Sequence, residues 1–505
     1  MSKKNTKNVG SEKRFDKGDQ IELYIEDITE DGDGIGKING YTVFVHNALP
    51  GDHLVTTLIK VKKNYAIGII HQMHEKSPMR VKAPCPYAAK CGGCQLQDLS
   101  YEGQVEYKAN HIKSSLMRIG KLEESEIKWD GFKAMTEPLY YRNKGIYQLA
   151  MGKKGEIEMG FYRKRSHDLV DVAYCLLQSK VANALMKKVR EALRLSGISF
   201  YDELTKKGAL RRIMIRTTTP NQGESVEAML VIVTTAVSSK LMRFVKDLEV
   251  LDSKIKSVYI NINDDLGNTN MSDQFDHISG KVYLTDYIGD VAFKISPQSF
   301  FQVNSVQTEV LYDEVVTNVQ AIVDEIRASS EDQVEEKDGN KGLTVNGGKG
   351  ITVMDLYCGI GSIGAYVAKK MPSISKIIGV EVIEGAIEDA KANAILNGLS
   401  NTEYVVGLAE EVIADLAEKH ELPDIVILDP PRKGCDSSLI DTLIAMKAPH
   451  IVYVSCKPST LARDLELLVA GGYEVKRTVG VDMFPMSTHV ETIILMANSC
   501  SKAKK

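Results

Sequence analysis

Between residues 19 and 73 apolar and polar positions alternate in short runs, IELYIEDI, YTVFVHNAL and LVTTLIKV. Turns at Asp31-Gly32-Asp33-Gly34 and Pro50-Gly51-Asp52 separate them. Period-two alternation with a Gly or Asp turn roughly every ten residues predicts a small OB-like β-barrel. Residues 101–118 change to a helical period. The stretch that follows, to about Gly289, mixes the strands RRIMIRTTT, EAMLVIVTT and SVYININ with a helix near 179–195, and reads as an α+β region. A further helix is expected over 303–328. From Ile351 the apolar strands ITVMDL, KIIGVE, EYVVG, DIVILD, IVYVS and HVETIILM alternate with helical segments. That rhythm predicts a doubly wound α/β sheet, so the fold class as a whole is α/β. Residues 329–350 hold acid, Asn and Gly with scarcely any apolar residue, and predict a flexible insertion. Three domains follow: 14–74, a barrel; 75–294, a central region; and 295–505, a Rossmann-like domain carrying the insertion.

A length of 505 residues suits about three domains of ~150 residues each. The longest apolar stretch, near 228–233, is far short of the ~20 residues that cross a bilayer. The first residues carry Lys3, Lys4, Lys7, Lys13, Arg14 and Lys17 with no apolar core, which excludes a secretory signal there and points to the cytoplasm without membrane contact. A net charge of −4 does not announce a nucleic-acid binder. Local basic runs do suit phosphates: the N-terminal arm, Lys60 with Lys62 and Lys63, and Arg163-Lys164-Arg165. The plainer reading of each run is solvated surface.

The strand ITVMDL leads into Asp355-Leu356-Tyr357-Cys358-Gly359-Ile360-Gly361-Ser362-Ile363-Gly364 and then a helix. Glycines there let a backbone approach a ligand closely. The next strand ends on Glu381, a carboxylate suited to two ribose hydroxyls. Gly359, Gly361 and Gly364 also fit a dinucleotide fingerprint, so a nicotinamide oxidoreductase is the rival reading. The Asp-Leu-Tyr-Cys segment before the glycines and the chemistry of the later strands favour a methyltransferase.

Those later strands run into Asp429-Pro430-Pro431-Arg432-Lys433-Gly434 and Ser455-Cys456-Lys457-Pro458, while the last strand, HVETIILM, carries Glu491 close to its start. Ligands of an open parallel sheet lie beyond its carboxyl ends, where Asp429 and Cys456 converge. An antiparallel last strand brings Glu491 to the same edge. Carbon 5 of uracil is a poor nucleophile until a thiolate adds to carbon 6; after methylation a base must remove the carbon-5 proton. Cys456 suits the addition and Glu491 the proton abstraction. The helix N-terminus beyond Cys456 and the charge of Lys457 are expected to favour the thiolate. A lone buried Cys is otherwise a small apolar filler. An enzyme methylating exocyclic amines of RNA needs no thiol; 5-methylcytosine enzymes place a Cys inside the Pro-containing loop, where this chain has Arg432.

Eight cysteines in a reducing compartment are not expected to pair as disulfides. Cys85, Cys91 and Cys94, spaced Cys-x5-Cys-x2-Cys with glycines between the last two, suit a thiolate-held metal centre. A fourth ligand must come from elsewhere, and Cys175 is the remaining Cys before the Rossmann-like domain. Spacing leaves [4Fe–4S] and zinc both open.

At this point the chain resembles the RNA (uracil-5-)-methyltransferases over nearly its whole length. The barrel looks like a TRAM domain, and Tyr141-Arg142-Asn143-Lys144 looks like the opening of the family's central domain. The segment from Ile295 through Pro297, Gln298, Phe300, Phe301 and Gln302 to Asn304 is characteristic of it. The resemblance implies a class I fold using S-adenosylmethionine, contacted by Gln302, Tyr357, Glu381 and Asp429, with Cys456 as nucleophile and Glu491 as base. It places Phe300 against the target uracil, which suits a flipped-out base. It implies a [4Fe–4S] cluster on Cys85, Cys91, Cys94 and Cys175. Barrel plus cysteines resemble the bacterial 23S rRNA members more than the tRNA enzyme, so the expected partner is 23S rRNA or an assembly intermediate, met by a monomer. Ser362 stands where some members carry Asn.

Overall fold

The computed structural model describes residues 15–219, 224–265, 267, 269–331, 350–419 and 422–499. The expected N-terminal basic arm up to Arg14, residues 332–349 of the expected insertion and Cys500 lie outside them. The described residues form two compact units. One comprises those of Met1–Pro84, Cys94–Tyr107 and Met486–Thr488; the other comprises those of Cys85–Gly93, Lys108–Pro485 and His489–Lys505.

In the first unit β1 (Gln20–Ile28), β2 (Gly34–Ile38), β3 (Tyr41–His46), β4 (His53–Val61) and β5 (Tyr65–Glu75) close into a barrel in the order β1-β2-β3-β5-β4. Alternation along β1 turns Ile21, Leu23 and Ile25 inward onto Val43, Val45, Leu54 and Leu58. Gly36 of β2 has no room for a side chain, because a Cβ there meets the Tyr24 carbonyl at 2.8 Å. Buried Asp52 ties the exit of the barrel: it accepts from the Leu49 and Ser77 N–H groups and pairs with Arg80. Helix α1 (Tyr101–Arg118) begins in this unit, where Leu96, Leu99 and Tyr107 pack on Ile28 and Leu49.

The first strand of the second unit is β6 (Trp129–Lys133). A central sheet follows, built from β7 (Lys144–Met151), β8 (Ile157–Tyr162), β9 (Leu169–Asp171), β10 (Leu210–Thr217), β11 (Ala228–Thr234), β12 (Ile255–Ile262) and β13 (Phe275–Gly280) in the order β13-β12-β11-β10-β7-β8-β9. Helices α2 (Lys180–Ser196) and α3 (Ser239–Glu249) cover one face. The helix expected at 179–195 is α2: Ser179 Oγ accepts from the Ala182 N–H and Gly197 ends it at φ 61°. A hairpin, β14 (Leu284–Ile288) and β15 (Val291–Ile295), leads to α4 (Ser305–Glu331), which carries three residues into the expected insertion.

The Rossmann-like sheet comprises β16 (Thr352–Leu356), β17 (Lys376–Glu381), β18 (Thr402–Val406), β19 (Ile425–Leu428), β20 (His450–Ser455), β21 (Tyr473–Val481) and β22 (Glu491–Asn498). Between them run α5 (Ser362–Lys370), α6 (Glu384–Leu396), α7 (Ala409–Glu418), α8 (Ser437–Met446) and α9 (Pro458–Ala470). The order is β18-β17-β16-β19-β20-β22-β21-β6, with β22 antiparallel to both neighbours. Its strands are apolar on both faces because helices cover both. Val353, Ile427 and Val452 pack beneath α4 and α5, while Met354, Val426 and Tyr453 meet α8, α9 and Ile112 and Leu116 of α1. The eighth strand, β6, pairs in parallel with β21 although it lies far upstream of residue 295. Among the described residues no helix is long and apolar enough to cross a membrane.

Candidate active site

Strand register brings the expected residues to one edge. Leu356 is level with Val380 on one side and Leu428 on the other, so Tyr357, Glu381 and Asp429 follow in a row at the carboxyl ends. Ser455 faces Thr492 across β20 and β22, which makes Cys456 and Glu491 the next neighbours outward. Asp429, Glu491 and Cys456 act on one another electrostatically, with Arg432 opposing.

The glycine loop is built for close approach. Gly359 and Gly361 hold positive φ, as does Tyr357 at 64°. Asp355 is buried; one oxygen accepts from the Gly364 N–H at 2.9 Å and the other has no hydrogen-bond partner among the described residues. Burial pushes its pKa up to about 7, and Asp429 and Glu381 add to that. Glu381 accepts from the N–H groups of Val382 and Ile383 through one oxygen and from Gly359 through the other. Ser362 Oγ meets the Tyr312 hydroxyl at 2.7 Å. Tyr312 was not among the expected residues; it sits about two turns inside α4 with no motif to mark it.

Burial also raises Asp429 to about 7, and Glu491 to about 8 with Asp429 adding to it. Cys456 stands immediately before α9, whose N-cap is Lys457 and whose first residue is Pro458. The expected activation of its thiol is not what this setting produces. Burial, then Glu491 and Asp429, push it up to about 11, and Arg432 offsets only part of that. Burial is the larger cause, and the two acids add to it because full charges this close favour the neutral thiol.

Phe300 is 74% exposed. Its loop is held from below: Arg216 donates to the Ser296 and Ser299 carbonyls, Ser299 Oγ to Asp389 of α6, and Asn143 Nδ2 to the Gln302 carbonyl. The Gln302 side chain is half-buried.

In the second unit Cys85, Cys91 and Cys175 are close enough that Cys175 raises the pKa of the other two, burial being the larger cause. Cys94, in the barrel unit, accepts from Gln97 Nε2 at 3.4 Å. Among the described residues no group of three or more His, Cys, Asp or Glu side chains is arranged to hold a metal ion.

A doubly wound sheet whose last strand returns antiparallel, with a glycine loop after its first strand, is the class I methyltransferase fold. Residues 334–499 match the family described as tRNA (Uracil-5-)-methyltransferase, and residues 14–70 match the TRAM domain. An uncharacterized RNA methyltransferase of Bacillus cereus is 40% identical over 485 residues, 95% of this chain and 97% of that one. One from Clostridium acetobutylicum is 40% identical over 482 residues, 95% and 97% of the two chains. The Pyrococcus abyssi tRNA (uracil-54, C5)-methyltransferase, solved with S-adenosyl-L-homocysteine, superposes with a TM-score of 0.69 at 26% identity, covering 94% of this chain and all of that one. This chain belongs to the RNA methyltransferases that combine a TRAM domain with a uracil-5-methyltransferase domain.

Proposed function

We propose that the protein uses S-adenosylmethionine to methylate carbon 5 of a uridine in 23S rRNA, through a covalent adduct between Cys456 and the base, in the cytoplasm. The observation that carries this is the register that sets Cys456 beside Glu491 at the end of β20 and β22. An amine methyltransferase has no use for that pair.

The cofactor's fit rests on Asp355, with its unpartnered buried oxygen, on the positive-φ glycines and on the Glu381 carboxylate at the next strand end. Tyr357, Asp429 and Gln302 complete the proposed contacts. When bound, the cofactor supplies an electrophilic methyl group. Cys456 adds its sulfur to carbon 6, placing electron density on carbon 5. A thiol near 11 is mostly protonated at neutral pH, so its proton must first pass to an acceptor. After methylation Glu491 takes the carbon-5 proton; that electron pair re-forms the ring double bond and the carbon 6–sulfur bond breaks, returning the thiolate. A carboxylate whose pKa lies near 8 is a far better base than an ordinary one. Phe300, exposed on a fastened loop, is proposed to stack on the uracil.

The rRNA substrate rests on the pairing of a TRAM domain with the cysteine pattern. A tRNA substrate is the second reading, favoured by the activity named for the Pyrococcus abyssi protein. A [4Fe–4S] cluster on Cys85, Cys91, Cys94 and Cys175 is proposed on spacing and on the proximity of three of the thiols, with no step of methyl transfer routed through it. Methyl-labelled cofactor offered with unmodified large-subunit rRNA and, separately, bulk tRNA tests the reading. Label is expected in 5-methyluridine from rRNA. Label in tRNA alone overturns the substrate, and label in another nucleoside overturns the chemistry.

A further inference from the structure

Between β21 and β22 the chain runs through Asp482-Met483-Phe484-Pro485 and five more residues before Glu491. A loop at the open edge of such a sheet ordinarily faces water. Asp482 and Met483 are instead fully buried, and three consecutive carbonyls of this loop each receive a side chain from elsewhere in the same unit. Asn304, just before α4, donates Nδ2 to the Met483 carbonyl at 3.0 Å. Lys108 of α1 donates Nζ to the Phe484 carbonyl at 3.0 Å. The Tyr141 hydroxyl donates to the Pro485 carbonyl at 3.0 Å. Lys108 also pairs with Asp482 Oδ1 at 2.6 Å, and both side chains are wholly buried.

A buried ion pair is a poor source of stability, since desolvation offsets the attraction and apolar residues of similar volume often do as well. What the pair does supply is geometry. Three donors from separate segments, aimed at successive carbonyls, fix a backbone path that apolar packing leaves free to slide. The residue at the far end of that path is Glu491.

We propose that Lys108, with Asn304 and Tyr141, forms a clamp that positions Glu491 for removal of the carbon-5 proton. The proposal rests on the reading of Glu491 as the base. None of the three touches the reacting atoms; they are positioning residues, acting through the loop.

The test compares the full-length enzyme with Lys108→Met/Asp482→Leu, which replaces the pair by apolar side chains, and with Tyr141→Phe, which removes one hydroxyl. The double variant is expected to keep its cofactor affinity and form the RNA adduct, but to resolve the adduct at least tenfold more slowly, within the roughly hundredfold that an ångström of misplacement costs. The acid limb of the resolution rate, set by Glu491 near 8, should move to lower pH as the carboxylate leaves its dry seat. A purely structural role leaves that limb where it is. Unchanged resolution and an unchanged limb overturn the clamp. If the double variant does not fold, Tyr141→Phe decides by the same limb. A parent enzyme that resolves its adduct while both variants match it removes the clamp alone; a parent that forms no adduct removes the base reading and the clamp together.

Discussion

The Glu491 carboxylate is the largest electrostatic influence on the Cys456 thiol after burial itself, and it acts to keep the proton on sulfur. Two like charges in a dry site do not ionise independently, so the pair titrates as a unit. Glu491→Gln removes one of the charges. Alkylation of Cys456 by iodoacetamide should then have a midpoint lower than about 11 by roughly one unit. The same variant should accumulate a covalent RNA adduct on denaturing gels. A midpoint that stays or rises contradicts the coupling, and absence of adduct counts against Glu491 as base.

Cys456→Ala should abolish turnover while cofactor affinity, measured by calorimetry, stays near that of the parent. The side chain lies beyond the row of Tyr357, Glu381 and Asp429 rather than within it. Methylation retained by this variant would rule out the adduct.

Asp429 makes the fold sensitive to alkali. Its folded pKa, about 7, lies above its ordinary 3.8, so the native state binds the proton more tightly than the unfolded chain. That contribution is complete below the lower value and is lost as pH rises through the upper one. Asp429→Asn, which carries no charge to desolvate, should therefore melt higher than the parent by an amount that grows between about pH 4 and pH 8. Each kcal/mol is worth roughly 2–4 °C in a domain of this size. A difference independent of pH shows that burial does not tax this carboxylate.

Gly361→Ala should weaken cofactor binding. Its φ is 75°, and a Cβ there lies 2.8 Å from the Tyr404 ring, so the loop must shift. Strain of this kind costs ~1–3 kcal/mol, or about tenfold or more in affinity. Titration calorimetry reads it directly, and unchanged affinity would mean that the loop does not cradle the ligand.

Protein purified without oxygen should be brown, with iron and sulfide in equal amounts, and Cys91→Ser should bleach it. Colourless protein with one zinc per chain replaces the cluster by zinc.

Much of this molecule was readable before any coordinates. Three of the five barrel strands, α1, α2 and the six apolar strands named after residue 350 announce themselves through period and capping, because each depends on local spacing. That Cys456, Asp429 and Glu491 meet at one edge was legible for a different reason: a strand end fixes where its next residue goes. The thiol's raised pKa was not, because it depends on which acids share its pocket and how dry that pocket is. Lys108 was hidden in the same way. Its partner Asp482 lies far along the chain, and nothing in the helical pattern of α1 distinguishes a buried lysine from a solvated one. Tyr312, against Ser362, and β6, against β21, are likewise contacts between distant segments with no local signature.

The pairing of β6 with β21 sets a timetable for synthesis. Trp129 lies beside Thr478, about 350 residues later. A ribosome adding ~5–20 residues per second leaves that strand without its neighbour for roughly 20–70 s. Throughout that interval an unpaired edge is available to other chains, and edges of that kind recruit strangers. Expression at lower temperature or with a nascent-chain chaperone is the natural remedy. A shortened chain beginning at residue 295 is not: it would be born without β6, leaving the β21 edge bare for the whole of its life.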